Sequence, residues 1–359
     1  MRHLELPSVS SAATSDLMPS PLVRHRANPI LTARDVPYHA TLLFNAGVCR
    51  YQGQYLMIFR NDYGRWGDTT FDGTNLGLAT SPDGVSWTVA AKPIIDLNTA
   101  RQLAQPLLPH RDAKHEIHRF YDPRLTVIDD KLYMCFAVDT RHGVVGGIGV
   151  FHSLNQFEVL TLTTPDNRNM VLFPEKIEGR YVRLERPFPV YGRGGVDRFD
   201  IWISSSPDLR DWGRSRLLLG VEDVPYANDK LGPAAPPIRT DKGWLTTFHA
   251  VDIDPSRGKN GWEKTWKKRY HAGLMLLDLA DPSRIVAIAR QPLLTPEAPY
   301  ETGEGATPET DGFRNHVIFP GGMILDEDGI VKIYYGAADT VECLASAPVD
   351  ELIRFCFEG

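Results

Sequence analysis

Residues 76–87 read LGLATSPDGVSW and residues 200–212 read DIWISSSPDLRDW, two stretches that share one pattern. Each has a strand-like run, then Ser-Pro-Asp, then a tryptophan four residues after the aspartate. A weaker copy follows residues 147–151, with Ser153 and Phe157 in place of the serine and the tryptophan. The repeated unit is a strand, a tight turn, an aromatic plug and the next strand. Repetition of such a unit is typical of the blades of a β-propeller.

Strand starts recur along the whole chain, and counting them gives the number of blades. Five inner strands are predicted, each followed by a turn and a second strand. They begin near residues 44–47, 121–124, 171–174, 232–235 and 317–320. We therefore predict an all-β fold, with an N-terminal arm over residues 1–27 and a single five-bladed β-propeller over residues 28–359. A β-sandwich is the less favoured alternative, because the strand-pair unit recurs about five times.

Composition sets the broad class of the protein. The chain has 359 residues, 42% of them hydrophobic, and a formal net charge of -6, which argues against nucleic acid as a partner. Its cysteines, Cys49, Cys135, Cys343 and Cys356, lie far apart without a metal-type spacing, which favours reduced core thiols and a cytoplasmic location. No apolar run is long enough for a signal peptide or a membrane span, so we expect no membrane partner.

One acidic residue lies at the start of a predicted inner strand. Asp122 is part of Tyr121-Asp122-Pro123-Arg124, where proline is tolerated because it need not donate to the ladder. Inner strands of a propeller line one central channel, so Asp122 is predicted to face that channel. Burial beside aromatic surface would favour the protonated form that a general acid needs, and a nearby cation would oppose it. The simpler alternative is an aspartate that caps a strand or a turn.

Basic residues lie near the channel-facing ends of the predicted first and second strands. They are Arg60, Arg168, Arg186, Lys230 and His249. Arginine forks bind phosphate oxygens in pairs and lysine adds a point charge, so the set predicts an anion site. Its convergence depends on the five-blade assignment. The alternative is a structural ion-pair network with Glu175, Glu185 and Asp200 as counter-ions.

Two further residues complete the candidate site. Asp339, which follows Gly336-Ala337-Ala338, offers a carboxylate that accepts from vicinal hydroxyls, so it is predicted to bind a sugar. Tyr270 offers an aromatic ring and a hydroxyl. For Asp339 the alternative is a capping residue after a turn.

Together these motifs resemble glycoside hydrolase family 130, the five-bladed propellers that include β-mannoside phosphorylases. The resemblance runs from Asn28 to Ala345. Its marks are Phe44-Asn45-Ala46-Gly47, Tyr121-Asp122-Pro123-Arg124, Val171-Leu172-Phe173-Pro174-Glu175-Lys176, Glu185-Arg186-Pro187, Lys230-Leu231-Gly232, Phe248-His249, residues 272–278, Phe319-Pro320 and residues 334–340.

The resemblance implies a role for each candidate residue. Asp122 would be the sole catalytic acid. Inorganic phosphate, or the sugar beside it, would be held by Arg60, Arg168, Arg186, Lys230, His249 and Tyr270. The sugar would be contacted by Asn45, Asp62, Arg124, Asn169 and Asp339. Residues 101–118 and 257–268 look like insertions that shape the acceptor subsite.

The activity implied by the resemblance is inverting phosphorolysis of a β-mannoside, with inorganic phosphate as co-substrate and α-D-mannose 1-phosphate as product. Phosphate would attack C1 while Asp122 drives protonation of the leaving oxygen, in this family through the mannosyl 3-hydroxyl. Carbohydrate and phosphate are the expected partners, and we expect no metal and no cofactor. Residues 167–169 look closest to members that act on mannosyl-glucose. A homo-oligomer stays open.

Two other functions are consistent with the same fold. An inverting β-mannoside hydrolase would need a second carboxylate, roughly 6.5–9.5 Å from the first, to activate water. Glu185 or Asp62 would supply it. A non-catalytic sugar-binding propeller would bind mannosides without turnover. The basic set favours phosphorolysis, because the charge of phosphate replaces the second carboxylate.

Overall fold

The structure is a computed structural model that describes residues 18–64, 71–107, 117–189, 199–254, 267–303 and 314–359. Five antiparallel sheets follow one another along this part of the chain, so the predicted five-bladed β-propeller is confirmed. Most of the predicted arm (residues 1–17), half of the first predicted insertion (residues 108–116) and most of the second (residues 257–266) lie outside the described residues.

Each blade is a meander whose first strand lies nearest the axis, where the inner strands of different blades contact one another. The chain begins with a short strand, β1 (Val23–Arg24). Blade 1 contains β2 (Leu42–Tyr51), β3 (Gln54–Tyr63), β4 (Gly73–Ser81) and β5 (Thr88–Val89). Blade 2 contains β6 (Ile117–Ile128), β7 (Lys131–Thr140), β8 (Gly143–Ser153) and β9 (Gln156–Leu162). Blade 3 contains β10 (Asn167–Leu172), β11 (Tyr181–Pro187), β12 (Ile201–Ser206) and β13 (Gly213–Leu219).

The last two blades depart slightly from this plan. Blade 4 contains β14 (Lys230–Pro233), β15 (Ile238–Arg239), β16 (Trp244–Ile253), β17 (Lys268–Leu277) and β18 (Ile285–Ile288). Blade 5 contains β19 (Ile318–Leu325), β20 (Ile330–Ala337) and β21 (Val341–Pro348). The helices are α1 (Leu97–Ala104), α2 (Pro299–Thr302) and α3 (Val349–Glu358). In the part of the chain that the structure describes, no helix is long and apolar enough to cross a membrane.

The ring closes by pairing the two ends of the chain. Strand β1 is the fourth strand of blade 5, with Val23 opposite Ser346 on β21. Just before it, the Met18 amide donates to the Glu358 carbonyl at 3.2 Å, and Leu22 is buried in the core. Residues 18–27 are therefore part of the last blade, although we predicted them as the end of an N-terminal arm.

The Ser-Pro-Asp repeat is a side-chain-stabilised turn between the third and fourth strands. Asp83 accepts from the amides of Val85 and Ser86, both at 2.8 Å. Asp208 accepts from the amides of Arg210 and Asp211 in the same way, both at 2.9 Å. The repeated sequence thus encodes a repeated turn, because each aspartate side chain satisfies the backbone donors that the turn exposes.

Five apolar cores hold the blades together. Each lies between two neighbouring blades and draws buried side chains from both, as in the cluster that joins Leu56 and Ile58 of blade 1 to Phe120 and Phe136 of blade 2. Burial of apolar surface at about 25 cal/mol per Å² is the main term that favours this packing. All four cysteines are buried free thiols within these blades and α3, as the sequence predicted.

Around the axis the inner strands approach so closely that two positions require glycine. A Cβ on Gly47 would lie 2.8 Å from the carbonyl oxygen of Pro123 in the next blade. A Cβ on Gly321 would collide with the carbonyl oxygen of Ala46. Both clashes are with backbone atoms, which cannot rotate away. Backbone therefore packs against backbone at the axis.

An ion pair between Arg24 and the buried Glu301 supports the ring closure. The Arg24 guanidinium donates to both oxygens of Glu301, at 2.8 and 2.9 Å, and the Tyr335 hydroxyl donates to the same carboxylate at 2.8 Å. Glu301 is fully buried at the start of α2, so this contact joins β1, α2 and β20.

We expect Glu301→Gln to lower the free energy of unfolding by about 3 kcal/mol, because Arg24, whose side chain is 24% exposed, loses its fully buried charged partner. The measurement is urea unfolding followed by fluorescence. Glu297→Gln is the matched control, since Glu297 also contacts Arg24, at 3.5 Å, but its side chain is 71% exposed. Its loss should be below about 1 kcal/mol. Equal effects of the two variants would contradict a closure that depends on the buried pair.

Candidate active site

Three inner strands carry the same irregularity at the same place. The pairing register shifts between Phe44 and Gly47, between Tyr121 and Arg124, and between Arg168 and Val171. Within these bulges lie Asn45, Asp122 and Asn169, with φ of 53°, 53° and 59° respectively. A bulge re-aims a side chain, and non-glycine residues adopt positive φ at an energetic cost that is typical of functional sites. Three polar side chains from three blades are thus brought to one end of the channel.

Asp122 lies in the first part of the site, which we call the carboxylate cluster (Asn45, Arg60, Asp62 and Asp122). The Asn45 amide donates to Asp122 Oδ1 at 3.0 Å, and Arg60 Nη1 donates to the same oxygen at 3.3 Å. Arg60 also binds Asp62 with two bonds, of 3.0 and 2.6 Å. Asp62 therefore orients Arg60, and Arg60 orients Asp122.

Opposing effects act on the pKa of Asp122. Burial is the largest and raises the pKa, but the charges of Arg60 and Arg124 and the hydrogen bond from Asn45 together outweigh it. The pKa consequently lies below its ordinary value, and the carboxylate is ionised in the ligand-free site at neutral pH. The sequence predicted that burial and a nearby cation would act in opposite directions. In the structure the effect of the cations on the pKa exceeds that of burial.

The second part of the site is the cationic cluster (Arg168, Asn169, Arg186, Lys230, His249 and Tyr270). Arg186 Nη1 lies 3.1 Å from His249 Nε2, and the Asn169 amide lies 3.4 Å from the same nitrogen. Both neighbours are donors, so Nε2 of His249 accepts. His249 is fully buried, and it holds Arg186 in place.

Close packing fixes the His249 ring from the other side. A Cβ on Gly232, which pairs with His249 across β14 and β16, would overlap the ring, so only glycine leaves room for it. The Tyr270 ring stacks on His249 at a centroid distance of 5.9 Å, and the Phe319 ring lies at 4.7 Å. The cluster therefore has rigid aromatic walls.

Electrostatics in the cationic cluster are those of like charges forced together. Burial, and then the neighbouring Arg168, lowers the pKa of Arg186 to about 9. Burial, and then the charge of Arg186, lowers the pKa of Lys230 to about 6 and holds that of His249 well below its ordinary range. Nε of Arg168 and Nε of Arg186 are buried and have no hydrogen-bond partner among the described residues. An anion bound here would relieve both the repulsion and the unmet donors.

Tyr121 connects the two clusters, and the sequence did not single it out as a site residue. Its hydroxyl accepts from Arg168 Nη1 at 3.3 Å and donates to Asp139 at 2.6 Å. Its ring lies 4.8 Å from the guanidinium carbon of Arg60. Its place directly before Asp122 was the available signal. One side chain thus contacts a cation from each cluster.

Asp339 lies at the rim of the carboxylate cluster. Residues Ala338 and Asp339 both have positive φ, 50° and 51°, in the tight turn between β20 and β21. Arg314 Nη1 donates to Asp339 at 3.3 Å. Burial raises the pKa of Asp339, the charges of Arg314 and Arg60 lower it, and those of Asp122 and Asp62 raise it, with a net increase. Asp339 therefore belongs to the same electrostatic environment as Asp122.

Two residues predicted to contact the sugar are enclosed by protein. Asp62 is 1% exposed and is bound by Arg60 and Thr74. Arg124 is 2% exposed, and its guanidinium donates to the carbonyls of Ala234, Pro123 and Asn45. Both side chains are held by protein groups in this structure, and a contact of either one with a sugar stays a prediction.

The alternative of an ion-pair network had named Glu175, Glu185 and Asp200 as counter-ions. Asp200 accepts from the Val221 amide at 3.0 Å. Glu175 pairs with the exposed Arg239. Glu185 is buried, and it pairs with Arg183 at 2.8 Å. In the part of the chain that the structure describes, no salt bridge or hydrogen bond joins Glu175 or Glu185 to the cationic cluster. Asp229 does contact it, at 3.5 Å from Lys230, and it was missed because only its position next to Lys230 marks it in the sequence.

In the described ranges, no group of three or more His, Cys, Asp or Glu side chains is arranged to hold a metal ion. The chemistry available here is that of Asp122 and neighbouring carboxylates, several cations and aromatic surfaces. Such a site suits a substrate with hydroxyl groups beside a small polyanion.

Comparison with known proteins agrees with this geometry. A β-1,2-mannobiose phosphorylase from Listeria innocua is 27% identical over 386 residues, covering 93% of this chain and 98% of that protein. The solved structure of the Listeria innocua enzyme in complex with β-1,2-mannobiose matches with a TM-score of 0.74 at 26% identity, covering 93% of this chain and 99% of that chain. A β-1,4-mannooligosaccharide phosphorylase from Ruminococcus albus is 28% identical, covering 92% of this chain and 90% of that protein.

The sequence profile of a whole family matches as well. The family is described as β-1,4-mannooligosaccharide phosphorylase, and its profile covers residues 22–358. The match includes every described residue of the carboxylate and cationic clusters. The chain therefore belongs to glycoside hydrolase family 130.

Proposed function

We propose that this protein catalyses the inverting phosphorolysis of a β-mannoside, either mannosyl-glucose or a manno-oligosaccharide, to α-D-mannose 1-phosphate. The observation that carries the proposal is the cationic cluster: Arg168, Arg186 and Lys230 are packed together, and Asp229 contacts the cluster only at 3.5 Å from Lys230 in the described residues. Burying cations without counter-ions is unfavourable unless an anion is bound during function. Inorganic phosphate is the anion that the reaction requires.

In this proposal each cluster has one role. Phosphate in the cationic cluster attacks C1 of the mannosyl unit, so a C1–O bond to phosphate forms as the C1–O bond to the leaving sugar breaks. Attack from the face opposite the leaving group inverts the anomeric centre from β to α. The proton for the leaving oxygen comes from Asp122, passing through the mannosyl 3-hydroxyl. Asn45 and Asp339 lie where they would contact that sugar.

The ionised state of Asp122 in the ligand-free site has a direct consequence for this mechanism. A general acid must carry a proton when the substrate reacts. Phosphate bound beside Arg168 offsets the positive charge that lowers the pKa of Asp122, and a sugar excludes water from the same site. Both changes raise that pKa. Phosphate thus acts as nucleophile and also prepares the acid.

A hydrolase on the same fold is the second candidate, and the carboxylates that it would need are occupied. Glu185 accepts from Ser204, Asn167 and Arg183 at 2.6, 2.6 and 2.8 Å. Asp62 is held by Arg60 and Thr74, as described above. A base that activates water must have an accessible oxygen, so these contacts favour phosphorolysis over hydrolysis.

The donor sugar and the location complete the proposal. The relatives are named for β-1,2-mannobiose and for β-1,4-mannooligosaccharides, and they match at nearly equal identity. A β-mannosyl donor is common to both. A cytoplasmic location is supported by the four buried free thiols, because reduced cysteines are typical of that compartment.

The proposal is tested by incubating the protein with a panel of β-mannosides, with and without inorganic phosphate. The panel contains mannosyl-glucose, β-1,2-mannobiose and β-1,4-mannobiose. We expect mannose 1-phosphate to be released only with phosphate, and the most active disaccharide identifies the acceptor. Free mannose formed equally without phosphate would establish the hydrolase. Binding without any product would establish a sugar-binding propeller.

Replacing the acid should abolish turnover while the fold is kept. We expect Asp122→Asn to lower kcat roughly 10²–10⁴-fold, because the amide keeps the acceptor oxygen for Asn45 and Arg60 but supplies no acidic proton. Initial rates of phosphorolysis measure the effect. Asp130→Asn is the matched control, since Asp130 lies in the same blade with a φ of 61° but is exposed. Activity of Asp122→Asn within tenfold of the parent would contradict the assignment.

Arg186 and Arg183 lie on the same strand, β11, and allow a paired test of the cationic cluster. In phosphate-free buffer, the free energy of unfolding of Arg186→Met should equal or exceed that of the parent, because the substitution removes a buried cation that lacks a carboxylate partner. Arg183→Met should lose about 3–5 kcal/mol, because it leaves Glu185 buried without its cation. Denaturant unfolding of both variants checks this contrast.

Phosphate should then separate the two arginines a second time. At a phosphate concentration of about 100 times Kd, the parent gains about 2.7 kcal/mol of stability. Arg186→Met should gain almost nothing, while Arg183→Met keeps the increment if it folds. A large loss of stability in Arg186→Met without phosphate would favour the ion-pair network over the anion site.

A further inference from the structure

Asp229, which immediately precedes Lys230, has a backbone fixed by the neighbouring strand. The amides of Asn228 and Asp229 both donate to the Val251 carbonyl, at 3.1 and 3.0 Å. The Asn228 side chain donates to the Ile253 carbonyl and accepts from the Ile253 amide, at 3.2 and 2.7 Å. These bonds attach the residues before β14 to the end of β16. The Asp229 side chain therefore starts from a defined position.

One oxygen of this side chain is shared between two lysines. Asp229 Oδ2 lies 2.8 Å from Lys268 Nζ and 3.5 Å from Lys230 Nζ. The Asp229 and Lys230 side chains are 14% and 12% exposed, and that of Lys268 is 28% exposed. The inner lysine is thus part of the cationic cluster, and the outer lysine lies closer to solvent.

We propose that Asp229 is a positioning residue of the phosphate site, and that its carboxylate, divided between Lys230 and Lys268, sets the position and the charge of the Lys230 ammonium. The inference rests on the proposed function, since it concerns how the same site binds phosphate. Asp229 does not contact the reacting atoms in this arrangement. It acts through Lys230.

The surroundings of Lys230 explain why its charge needs support. Arg186 faces it from β11, His249 from β16, and Tyr270 and Lys268 from β17. The Phe199 and Tyr270 rings lie 5.6 and 5.7 Å from its ammonium. Burial, Arg186 and Lys268 all lower the pKa of Lys230, and among these neighbours only Asp229 raises it. The carboxylate thus preserves part of the charge that an incoming anion would bind.

Lys268 competes for this support. Burial lowers the pKa of Lys268, but the hydrogen bond and the charge of Asp229 raise it. The net pKa is above its ordinary value, so Lys268 keeps its proton. A protonated Lys268 occupies the Asp229 oxygen at 2.8 Å and repels Lys230. Removing the charge of Lys268 should therefore increase the protonated fraction of Lys230. Removing the charge of Asp229 should decrease that fraction.

The pH dependence follows from these directions. In the parent the pKa of Lys230 is about 6, so above that pH the ammonium is charged in a minority of ligand-free molecules. Bound phosphate favours the charged form and draws in a proton. Asp229→Asn moves the pKa of Lys230 further down, so fewer molecules are ready for phosphate at pH 7. The difference in phosphate affinity between Asp229→Asn and the parent should narrow as the pH falls towards 5.

Isothermal titration of the full-length protein with inorganic phosphate, at pH 5, 7 and 8.5, tests the inference. We expect Asp229→Asn to weaken phosphate binding roughly tenfold at pH 7, the effect of about one pKa unit. The KM for the mannoside should change less than twofold. Lys268→Met should bind phosphate at least as tightly as the parent at pH 8.5. Because phosphate itself ionises identically in each titration at one pH, comparison between variants cancels its contribution.

Asp241→Asn is the matched control. Asp241 also precedes a lysine, Lys242, with an Nζ–Oδ2 distance of 3.2 Å, but both side chains are exposed and lie away from the cationic cluster. This variant should bind phosphate like the parent at every pH. Thermal unfolding of each variant verifies that it is folded.

The outcomes separate this inference from the proposed function. If the parent itself does not bind phosphate, the proposed function is overturned. If the parent binds phosphate and a folded Asp229→Asn binds equally well at pH 7, only the role of Asp229 fails. An equal loss in Asp229→Asn and Lys268→Met would also overturn it, because both lysines would then be direct phosphate contacts. If Asp229→Asn does not fold, Lys268→Met decides alone, by tighter or weaker binding at pH 8.5.

Discussion

Close approach of backbones at the propeller axis is the constraint on which the rest of the structure depends. Five inner strands must meet around one line, and at Gly47 and Gly321 there is no room for even a methyl group. Strands packed this closely cannot all stay regular. The bulges at Asn45, Asp122 and Asn169 relieve the crowding and turn polar side chains towards one end of the channel. The same crowding therefore builds the candidate site.

The two clusters balance charge in different ways. In the carboxylate cluster each cation has a partner, and the chain from Asp62 through Arg60 to Asp122 is complete without a ligand. In the cationic cluster the charges exceed their partners, and neutral His249 is held between them. The charges are paired in the carboxylate cluster and in excess in the cationic cluster. Such a site suits one neutral and one anionic substrate. In the proposed mechanism, this asymmetry makes the pKa of Asp122 respond to what is bound beyond Tyr121.

Much of the fold could be predicted from the sequence, because repetition of a local unit is visible in the order of residues. The turn aspartates Asp83 and Asp208 are read directly from their motif, and an inner strand overlaps each of the five predicted starts, although β10 already ends at Leu172 and β14 at Pro233. The candidate residues were also brought together from separate blades. What could not be predicted was which side of the site each would serve. Arg124 and Asp62 look like ligands in the sequence, yet in the structure Arg124 donates to backbone carbonyls and Asp62 accepts from Arg60.

Local reading failed for a second reason, which is that long-range contacts leave no local mark. Nothing near Val23 indicates that its partner is Ser346, so residues 18–27 appeared to be an arm. Nothing in Asp229-Lys230 indicates that Lys268 shares the carboxylate. Positive φ at Asn45 and Asn169 is likewise a result of ring geometry. The sequence thus reveals elements and candidate chemistry, while the closure of the ring decides the contacts.

The pairing of β1 with β21 also governs the order of events during synthesis. Val23 leaves the ribosome long before Ser346, on the order of tens of seconds earlier at typical elongation rates. Throughout that interval, blades 1 to 4 can form from neighbouring segments, but β1 has no strand to join. The nascent protein is consequently an open arc with two exposed edges, and sealing it is a late event that requires almost the whole chain. Chaperones would meet this protein as an unfinished ring.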